Sequence, residues 1–335
     1  MNSYLITVDA GTTNTRAILM DKSGECRDVA QSEVGVRNTA IDGNNSRLKA
    51  AVKDCMDRLL VGNGLGWERI AAVYASGMIT SNVGLTEIPH LAAPAGMEDF
   101  VRAVRTEELP DVCAMPMHFI PGLKNIAGNV DADTLASMDI MRGEEVEVIA
   151  ILDWCGTGGE SLFVLPGSHS KFVTVDRNGT LTGCLSSIAG ELLAALTNHS
   201  ILADAVGRNF VGANDYNREW FLRGFHAARE TSFARAAFST RILNLFVTKD
   251  TAACANFLMG AVLEGDLAML RKMRLQLSPD ARVVVAGRDP LRRALVDAFN
   301  ADGYFRVVQE FMPPPNAVLS AHGAYLVAKA REGWR

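Results

Sequence analysis

The sequence predicts an α/β protein of two lobes, each opening with a three-stranded antiparallel meander. Three observations support this prediction. A meander pattern near the start of the chain is followed by a helix and a strand. The same pattern recurs in the middle of the chain. The 335 residues are 48% hydrophobic, which is enough apolar material to fill two cores.

The first copy begins with "YLITVDAGTTNTRAILMDKSG", two apolar runs separated by small hydroxyl residues and closed by the turn formers "DKSG". Further on, "NSRLKAAVKDCMDRLL" has apolar residues at helical spacing, and "IAAVYASGM" has the composition of a buried strand. The predicted order is therefore βββαβ. The strands are predicted over residues 5–8, 16–20, 26–30 and 70–78, and the helix over 45–60.

The second copy is "SLFVLPGSHSKFVTVDRNGTLTG", residues 161–183. Gly11 corresponds to Gly167, an offset of 156, and Asp21 corresponds to Asp176, an offset of 155. A repeat of this length indicates two similar units that could enclose a cleft. Elements also follow the second copy in the order helix, strand, helix; they are predicted over 188–206, 281–287 and 289–303.

The best boundary between the lobes is near "DWCGTGGES", where turn formers cluster. We therefore predict an N-terminal lobe over residues 1–152 and a C-terminal lobe over 153–315. The remaining residues, 316–335, are rich in alanine after "MPPP", and we expect them to form a helix that packs back on the first lobe.

Charge and composition exclude several classes of partner. The net charge is −5, and no block of like charge is long enough to bind nucleic acid. No secretion signal and no apolar run of about 18 residues is visible, so we expect a cytoplasmic protein without membrane contact. The six cysteines are scattered and read as reduced thiols. A small-molecule partner fits best.

The two hairpin turns are candidates for binding phosphate. In a turn built of glycine and hydroxyl residues, backbone N–H groups and hydroxyls can converge on an anion. Two such turns could hold a polyphosphate from two sides. Asp9, at a strand end, could bind Mg²⁺ through water, or could instead cap its own turn. The sequence has no G-x-x-x-x-G-K-[ST] motif, so a P-loop is excluded.

A set of motifs carries a family resemblance. In order along the chain these are "DAGTTNTR", "SGMITSNVG", "IPGL", "MRGEE", "LPGSHSKFV", "AGEL" and "NHSIL". Together they resemble 2-dehydro-3-deoxygalactonokinase, a bacterial sugar-acid kinase of the superfamily that contains hexokinase, Hsp70 and actin. The resemblance implies a two-lobed actin-like ATPase (ribonuclease H-like) fold, in which each lobe is a mixed five-stranded sheet flanked by helices.

The implied activity is ATP-dependent phosphorylation of a hydroxyl group on a 2-keto-3-deoxy sugar acid. The implied substrate is 2-dehydro-3-deoxy-D-galactonate, an intermediate of galactonate catabolism, and the implied cofactors are ATP and Mg²⁺. The alternatives are a kinase for another small sugar or polyol, and a non-metabolic ATPase or sugar sensor of the same fold. The expected partners are the sugar acid and ATP, with a homodimer left open.

The resemblance also implies phosphate-binding and nucleotide-binding residues. Lys171 would clamp phosphate, although an ordinary surface lysine is equally compatible with its position. Gly287, which ends a strand and opens a helix, would lie near adenine. The two hairpins would contribute Gly11, Thr12, Thr13, Asn14, Gly167, Ser168, His169 and Ser170.

For catalysis, the motif "MRGEE" stands where this superfamily places its proton acceptor. Glu144 or Glu145 would be the base, with Glu144 slightly favoured. A charge cluster at a helix N-terminus is the structural alternative, and Asp139 and Asp153 are rival bases.

Substrate recognition would come mainly from the first lobe. Arg142 would pair with the substrate carboxylate, which suits a planar guanidinium. Ser81 and Asn82 follow a predicted buried strand and could meet sugar hydroxyls. Arg16 could reach the phosphoryl group or the carboxylate, or could be an exposed strand arginine.

Overall fold

A computed structural model describes residues 4–125, 128–273 and 277–334. By its internal contacts the chain divides into two compact units. The first comprises Met1–Thr157, Asn178–Cys184 and Pro313–Arg335, and the second comprises Gly158–Arg177 and Leu185–Met312.

The strands are β1 (Tyr4–Ala10), β2 (Thr15–Asp21), β3 (Cys26–Ser32), β4 (Ile70–Gly77), β5 (Leu91–Ala92), β6 (Arg105–Glu107), β7 (Met117–Phe119), β8 (Leu123–Lys124), β9 (Ile140–Met141), β10 (Ser161–Leu165), β11 (Ser170–Val175), β12 (Leu181–Ser187), β13 (Arg282–Val285) and β14 (Val307–Glu310). The helices are α1 (Val36–Asp42), α2 (Ser46–Gly62), α3 (Met97–Ala103), α4 (Glu144–Cys155), α5 (Ala189–His199), α6 (Arg218–Glu230), α7 (Phe233–Phe246), α8 (Thr251–Met273), α9 (Leu291–Asp302) and α10 (Leu319–Glu332).

The main sheet of the first unit has the strand order β3-β2-β1-β4-β7-β6. The meander β1-β2-β3 is antiparallel, whereas β4 runs parallel to β1 and β7 runs parallel to β4. The ends of β1 and β4 lie side by side, because Asp9 pairs with Ser76 and Ala10 pairs with Gly77. This register brings two of the sequence motifs to one edge of the sheet.

The second main sheet repeats this arrangement with the order β12-β11-β10-β13-β14, and all of its strands except the first part of β12 belong to the second unit. Strand β11 runs antiparallel to β10, and β13 and β14 continue parallel on its other side. In both sheets the first strand of the meander is central, and a later strand pairs parallel with it. This shared topology is the structural form of the repeat seen in the sequence.

Helices cover both faces of the first sheet. On one face, alternate residues of β1 such as Ile6 and Val8 pack with α2 in a common apolar core. On the other face, α10 lies on β1 and β4 and packs against α4. Gly323 makes this close crossing possible, since a Cβ at that position would overlap the carbonyl oxygen of Val146. The C-terminal helix is therefore an integral part of the first unit.

The second unit is built around the buried helix α8, which contacts α5, α6, α7 and α9. Residues 251–272 of this helix are long and apolar enough to cross a membrane, but 83% of the apolar window is buried in the fold. Burial of this kind is typical of a core helix. The α6–α8 crossing depends on small residues, because a Cβ on Gly260 would overlap the carbonyl oxygen of Phe221.

The predicted fold class is confirmed by the topology of the two main sheets. The first sheet differs from the expected five strands by one addition, β6, which pairs antiparallel with β7. A short three-stranded sheet of β5, β8 and β9 was also not predicted. These strands have only two or three residues each, too few to show a periodic pattern in the sequence.

Substituting two glycines of α8 should have opposite effects on stability. Gly260→Ala should lower the free energy of unfolding by about 1–3 kcal/mol, because its new methyl group meets backbone at the helix crossing. Gly265→Ala should raise it by up to about 1 kcal/mol, since a Cβ there meets nothing within 4 Å and alanine favours the helix. Denaturant unfolding of both variants tests this, and equal effects would contradict the tight crossing.

Candidate active site

Asp9 lies at the end of β1, with one carboxylate oxygen held by two donors. Its Oδ2 accepts a hydrogen bond from Arg16 Nη2 at 2.6 Å and one from Ser320 Oγ at 3.2 Å. Its Oδ1 faces Gly77, where a Cβ would lie only 3.0 Å away. The missing side chain at Gly77 therefore keeps space open beside Oδ1. Asp9 is 18% exposed, so the carboxylate is accessible from solvent.

Two glycines with left-handed backbone bring the start of α4 close to this carboxylate. Gly77 has φ 87° and ends β4, and Gly143 has φ 110° and precedes α4. A Cβ on Gly143 would lie 3.3 Å from the Cα of Gly77. A positive φ is readily adopted only by glycine, so both positions require it. The motif "MRGEE" thereby reaches the edge of the sheet where Asp9 ends β1.

The two glutamates that begin α4 have different surroundings. Glu145 is fully buried, and both its carboxylate oxygens accept from the backbone N–H of Gly143, at 2.8 and 2.9 Å. Burial, reinforced by the neighbouring Glu144, raises the pKa of Glu145 to about 8. Glu144 is half-buried, and its Oε2 accepts from the backbone N–H of Arg142 at 3.1 Å. Glu145 thus binds the backbone at the N-terminus of α4, whereas Glu144 retains contact with solvent.

Glu147 is a member of this acidic cluster that the sequence interpretation missed. Desolvation, followed by repulsion from Glu144 and Asp9, raises its pKa to about 8, and Arg16 opposes the shift. Glu144, Asp9 and Arg16 are thus the charged groups that act on the Glu147 carboxyl. Spacing in the sequence could have identified Glu147. Residues three apart on a helix share a face, and Glu144 and Glu147 have that spacing.

Arg142 does not have the free guanidinium that its predicted role requires. Its Nη1 donates to the carbonyl oxygen and the hydroxyl of Thr80, at 2.8 and 2.6 Å, and its Nη2 donates to the carbonyl oxygen of Ile88 at 2.8 Å. Burial lowers its pKa below the usual value. Because both terminal nitrogens are bound to protein, Arg142 anchors the 78–90 loop, and the assignment to a substrate carboxylate does not fit this geometry.

The loop anchored by Arg142 carries the two predicted sugar contacts. Ser81 is buried, and its hydroxyl donates to the carbonyl oxygen of Met78 at 2.7 Å. Asn82 is exposed. Of the two, Asn82 has the accessible side chain and Ser81 shapes the loop.

The first hairpin turn is supported by the start of α1. The N–H of Val36 donates to the carbonyl oxygen of Gly11 at 3.1 Å, and the N–H of Arg37 donates to that of Thr12 at 2.9 Å. Gly35 permits this approach, because a Cβ there would lie 2.5 Å from the Thr12 oxygen. The exposed residues of the turn are Thr12, Thr13 and Asn14. The turn is thus held from behind, with its tip open to solvent.

The second hairpin turn is supported in the same way by α5. The N–H of Glu191 donates to the carbonyl oxygen of Ser168 at 3.1 Å. A Cβ on Gly190 would overlap the carbonyl oxygen of Gly167, so glycine is needed for this approach. His169 adds a contact of its own, since its Nε2 lies 3.0 Å from Glu191 Oε1. Ser168 and His169 are exposed. Ser170 is buried as the first residue of β11.

Lys171 and Gly287 lie beside the second turn. Lys171 is 8% exposed, and its Nζ donates to Ser186 Oγ at 2.5 Å, so it is neither a surface lysine nor at the tip of the turn. Gly287, with φ 97°, follows β13, and a Cβ there would lie 2.9 Å from Pro166 Cγ. Gly287 therefore lies beside the second turn, in a position similar to that of Gly77 beside the end of β1.

The residues around Asp9 fit a partly hydrated magnesium ion. Among the residues that the structure describes, no group of three or more His, Cys, Asp or Glu side chains could hold a metal on its own. Mg²⁺ usually keeps several waters and binds one or two carboxylates together with substrate phosphates. Asp9 Oδ1, beside the space left by Gly77, meets that requirement.

Rival carboxylates lie elsewhere in the first unit. Asp153 is near the opposite end of α4, and its Oδ2 lies 2.8 Å from His322 Nε2. Asp139 precedes β9, and its Oδ1 accepts from the backbone N–H of Ile140 at 2.7 Å. Neither carboxylate is placed at the end of β1.

Residues 9–311 match the family model described as 2-keto-3-deoxy-galactonokinase. Among solved structures, a Sinorhizobium meliloti protein provisionally assigned as a 2-dehydro-3-deoxygalactonokinase has a TM-score of 0.72 at 23% identity, with 99% of each chain covered. The Clostridium difficile activator of 2-hydroxyisocaproyl-CoA dehydratase, solved with bound ADPNP, has a TM-score of 0.50 at 12% identity, with 98% of this chain and 96% of that chain covered. No curated protein matches.

The buried Glu145 should make stability fall as the pH rises. Folding raises its pKa from 4.5 to about 8. Between those values the unfolded chain has already lost the proton that the folded chain keeps, so the free energy of unfolding decreases with pH. Glu145→Gln removes this titration and should be more stable at pH 8, relative to the parent protein, than at pH 5.5.

Urea unfolding of both proteins across this pH range measures the effect. The exposed substitution Glu230→Gln is the matched control and should give a curve parallel to that of the parent. Parallel curves for Glu145→Gln as well would contradict a protonated Glu145 in the folded protein.

Proposed function

Since the chain belongs to the 2-keto-3-deoxy-galactonokinase family, we propose that it transfers the γ-phosphoryl group of ATP to a hydroxyl of 2-dehydro-3-deoxy-D-galactonate. The family match, which extends over residues 9–311, is the observation that carries this proposal. The chain is accordingly an ATP-dependent sugar-acid kinase. We assign it to galactonate catabolism in the cytoplasm.

Phosphate binding is assigned to the exposed tips of the two hairpins. Among the described residues, the backbone N–H groups of Thr12 and Thr13 have no partner, so they are available to phosphate oxygens. Ser168 and His169 offer corresponding N–H groups in the second unit. Lys171 adds a positive charge behind the second tip, and Gly287 leaves room beside it for the nucleotide.

Asp9 is assigned to the magnesium ion. Bound Mg²⁺ neutralises charge on the phosphates and supports transfer of the γ-phosphoryl group. Arg16 and Ser320 hold Oδ2 of Asp9, so Oδ1 would remain to hold the ion or a water bound to it. Arg16 also balances negative charge contributed by Glu147. This arrangement gives the first unit one prepared carboxylate for the ion.

Glu144 is assigned as the general base. It would accept the proton of the sugar hydroxyl as the new O–P bond forms and the bond from the γ-phosphorus to the β–γ bridging oxygen breaks, releasing ADP. Glu145 is unsuited to this role because it is fully buried and bound to the N–H of Gly143. Asp153 is unsuited because it lies near the far end of α4, beside His322.

Recognition of the sugar acid is assigned to the first unit. Asn82, the exposed residue of the loop anchored by Arg142, is the candidate for sugar hydroxyls, with Ser81 supporting the loop. Arg16 is the remaining candidate for the substrate carboxylate, since its side chain is 35% exposed. Arg142 acts through the loop it holds.

The proposal predicts a narrow substrate range. In a coupled assay of ADP formation with Mg²⁺, the purified protein should turn over ATP with 2-dehydro-3-deoxy-D-galactonate and show only background hydrolysis without an acceptor. The panel should include other 2-keto-3-deoxy sugar acids, neutral sugars and polyols. Activity confined to neutral sugars or polyols would make the substrate assignment wrong while leaving the kinase reaction intact.

Glu144 and Glu145 should respond differently to removal of charge. Glu144→Gln should lower kcat by about 10² to 10⁴ with little change in KM, because it removes the proton acceptor. Glu145→Gln is the matched control on the same helix turn and should keep kcat within about tenfold of the parent at pH 7, since the buried carboxyl is already protonated there. Loss of turnover in Glu145→Gln alone would reverse the assignment.

A further inference from the structure

The hydrogen bond between Ser320 and Asp9 joins the last helix to the first strand. Ser320 is 3% exposed, and its Oγ donates to Asp9 Oδ2 at 3.2 Å. A hydroxyl buried to this extent needs a hydrogen-bond partner, and in the structure that partner is the carboxylate. Together with Arg16, it places two donors on the same oxygen, which restrains rotation of the carboxylate about its Cβ–Cγ bond.

The position of Ser320 is set by contacts of α10 that do not involve Asp9. The backbone of α10 lies against α4 where Gly323 meets the carbonyl oxygen of Val146. On the following turn, the hydroxyl of Tyr325 donates to the carbonyl oxygen of Lys22 at 2.8 Å. The ring of His322 stacks on Trp154, with centroids 4.2 Å apart. Ser320 is therefore brought to Asp9 by a helix that is anchored independently.

We propose that Ser320 is a positioning residue for the metal-binding carboxylate, acting through Asp9 without touching the substrate. By holding Oδ2, it turns Oδ1 toward the space beside Gly77, where the ion and its water would bind. This inference rests on the proposed function in so far as Asp9 binds the magnesium ion. It predicts that Ser320 governs metal affinity, whereas the other contacts of α10 govern only stability.

The test compares Ser320→Ala with Tyr325→Phe, which removes a hydrogen bond of the same helix to Lys22, at the opposite end of the β1–β2 pair from Asp9. Binding of Mn²⁺ is measured by electron paramagnetic resonance in the presence of a non-hydrolysable ATP analogue, and Tm is measured for each protein. Ser320→Ala should weaken Mn²⁺ binding about tenfold, the low end of the effect expected when a residue that orients a metal-binding carboxylate is removed. Tyr325→Phe should lower Tm and leave Mn²⁺ affinity unchanged.

Two further variants complete the comparison. Ser320→Thr keeps the hydroxyl and should restore the affinity. Ser320→Cys keeps the shape of the side chain with a weak donor, and it provides the same test if the alanine variant does not fold. In activity assays, Ser320→Ala should raise the Mg²⁺ concentration for half-maximal rate while the KM for the sugar acid stays constant.

Parent-like Mn²⁺ affinity in Ser320→Ala, or an equal loss in Tyr325→Phe, would overturn the positioning role. Asp9→Asn should lose most of the Mn²⁺ binding, and parent-like binding in that variant would overturn the role of Asp9 and that of Ser320 together. A protein that shows no kinase activity with any sugar acid, yet loses Mn²⁺ affinity in Ser320→Ala, would refute the proposed function and leave the positioning role intact.

Discussion

The candidate site depends on the close approach of one backbone segment to another. One glycine behind each hairpin turn permits this approach. Gly35 allows the start of α1 to donate to the carbonyls of the first turn, and Gly190 allows α5 to do the same for the second. A side chain at either position would separate the helix from the turn. Because the amides of the helix satisfy the carbonyls of the turn, the tips can stay exposed without losing their shape.

The same principle connects the acidic cluster to the sheet. Parallel pairing of β1 with β4 places Gly77 next to the end of β1, and Gly143 then lets α4 begin against Gly77. Asp9 and Glu144 belong to elements distant in the sequence, yet each is delivered by a backbone contact and not by long flexible side chains. Backbone packing within the first unit therefore sets the positions of both carboxylates.

Much of this architecture could be predicted because it depends on local patterns in the sequence. Alternation and turn residues predicted β1, β2 and β3, and the repeated "PGSHSK" predicted the second meander. The exposed residues of both turns were named correctly as residues of the turns. The surroundings of Glu145, Arg142 and Lys171 were harder to predict, because they depend on partners elsewhere in the chain. Arg142 binds Thr80 and Ile88, and Lys171 binds Ser186. Spacing in the sequence indicates which residues share a face of a helix or strand. It does not indicate which distant acceptors form hydrogen bonds with a guanidinium group.

The contact between Ser320 and Asp9 spans 311 positions, almost the whole chain. Closing a contact between such distant segments costs more chain entropy than forming the β1–β2 hairpin, whose strands are neighbours in the sequence. Asp9 has both of its side-chain donors only when α10 is docked on the first sheet, because Arg16 comes from β2 and Ser320 comes from α10. A partly folded first unit that had formed the meander alone would therefore hold this carboxylate through Arg16 but not through Ser320.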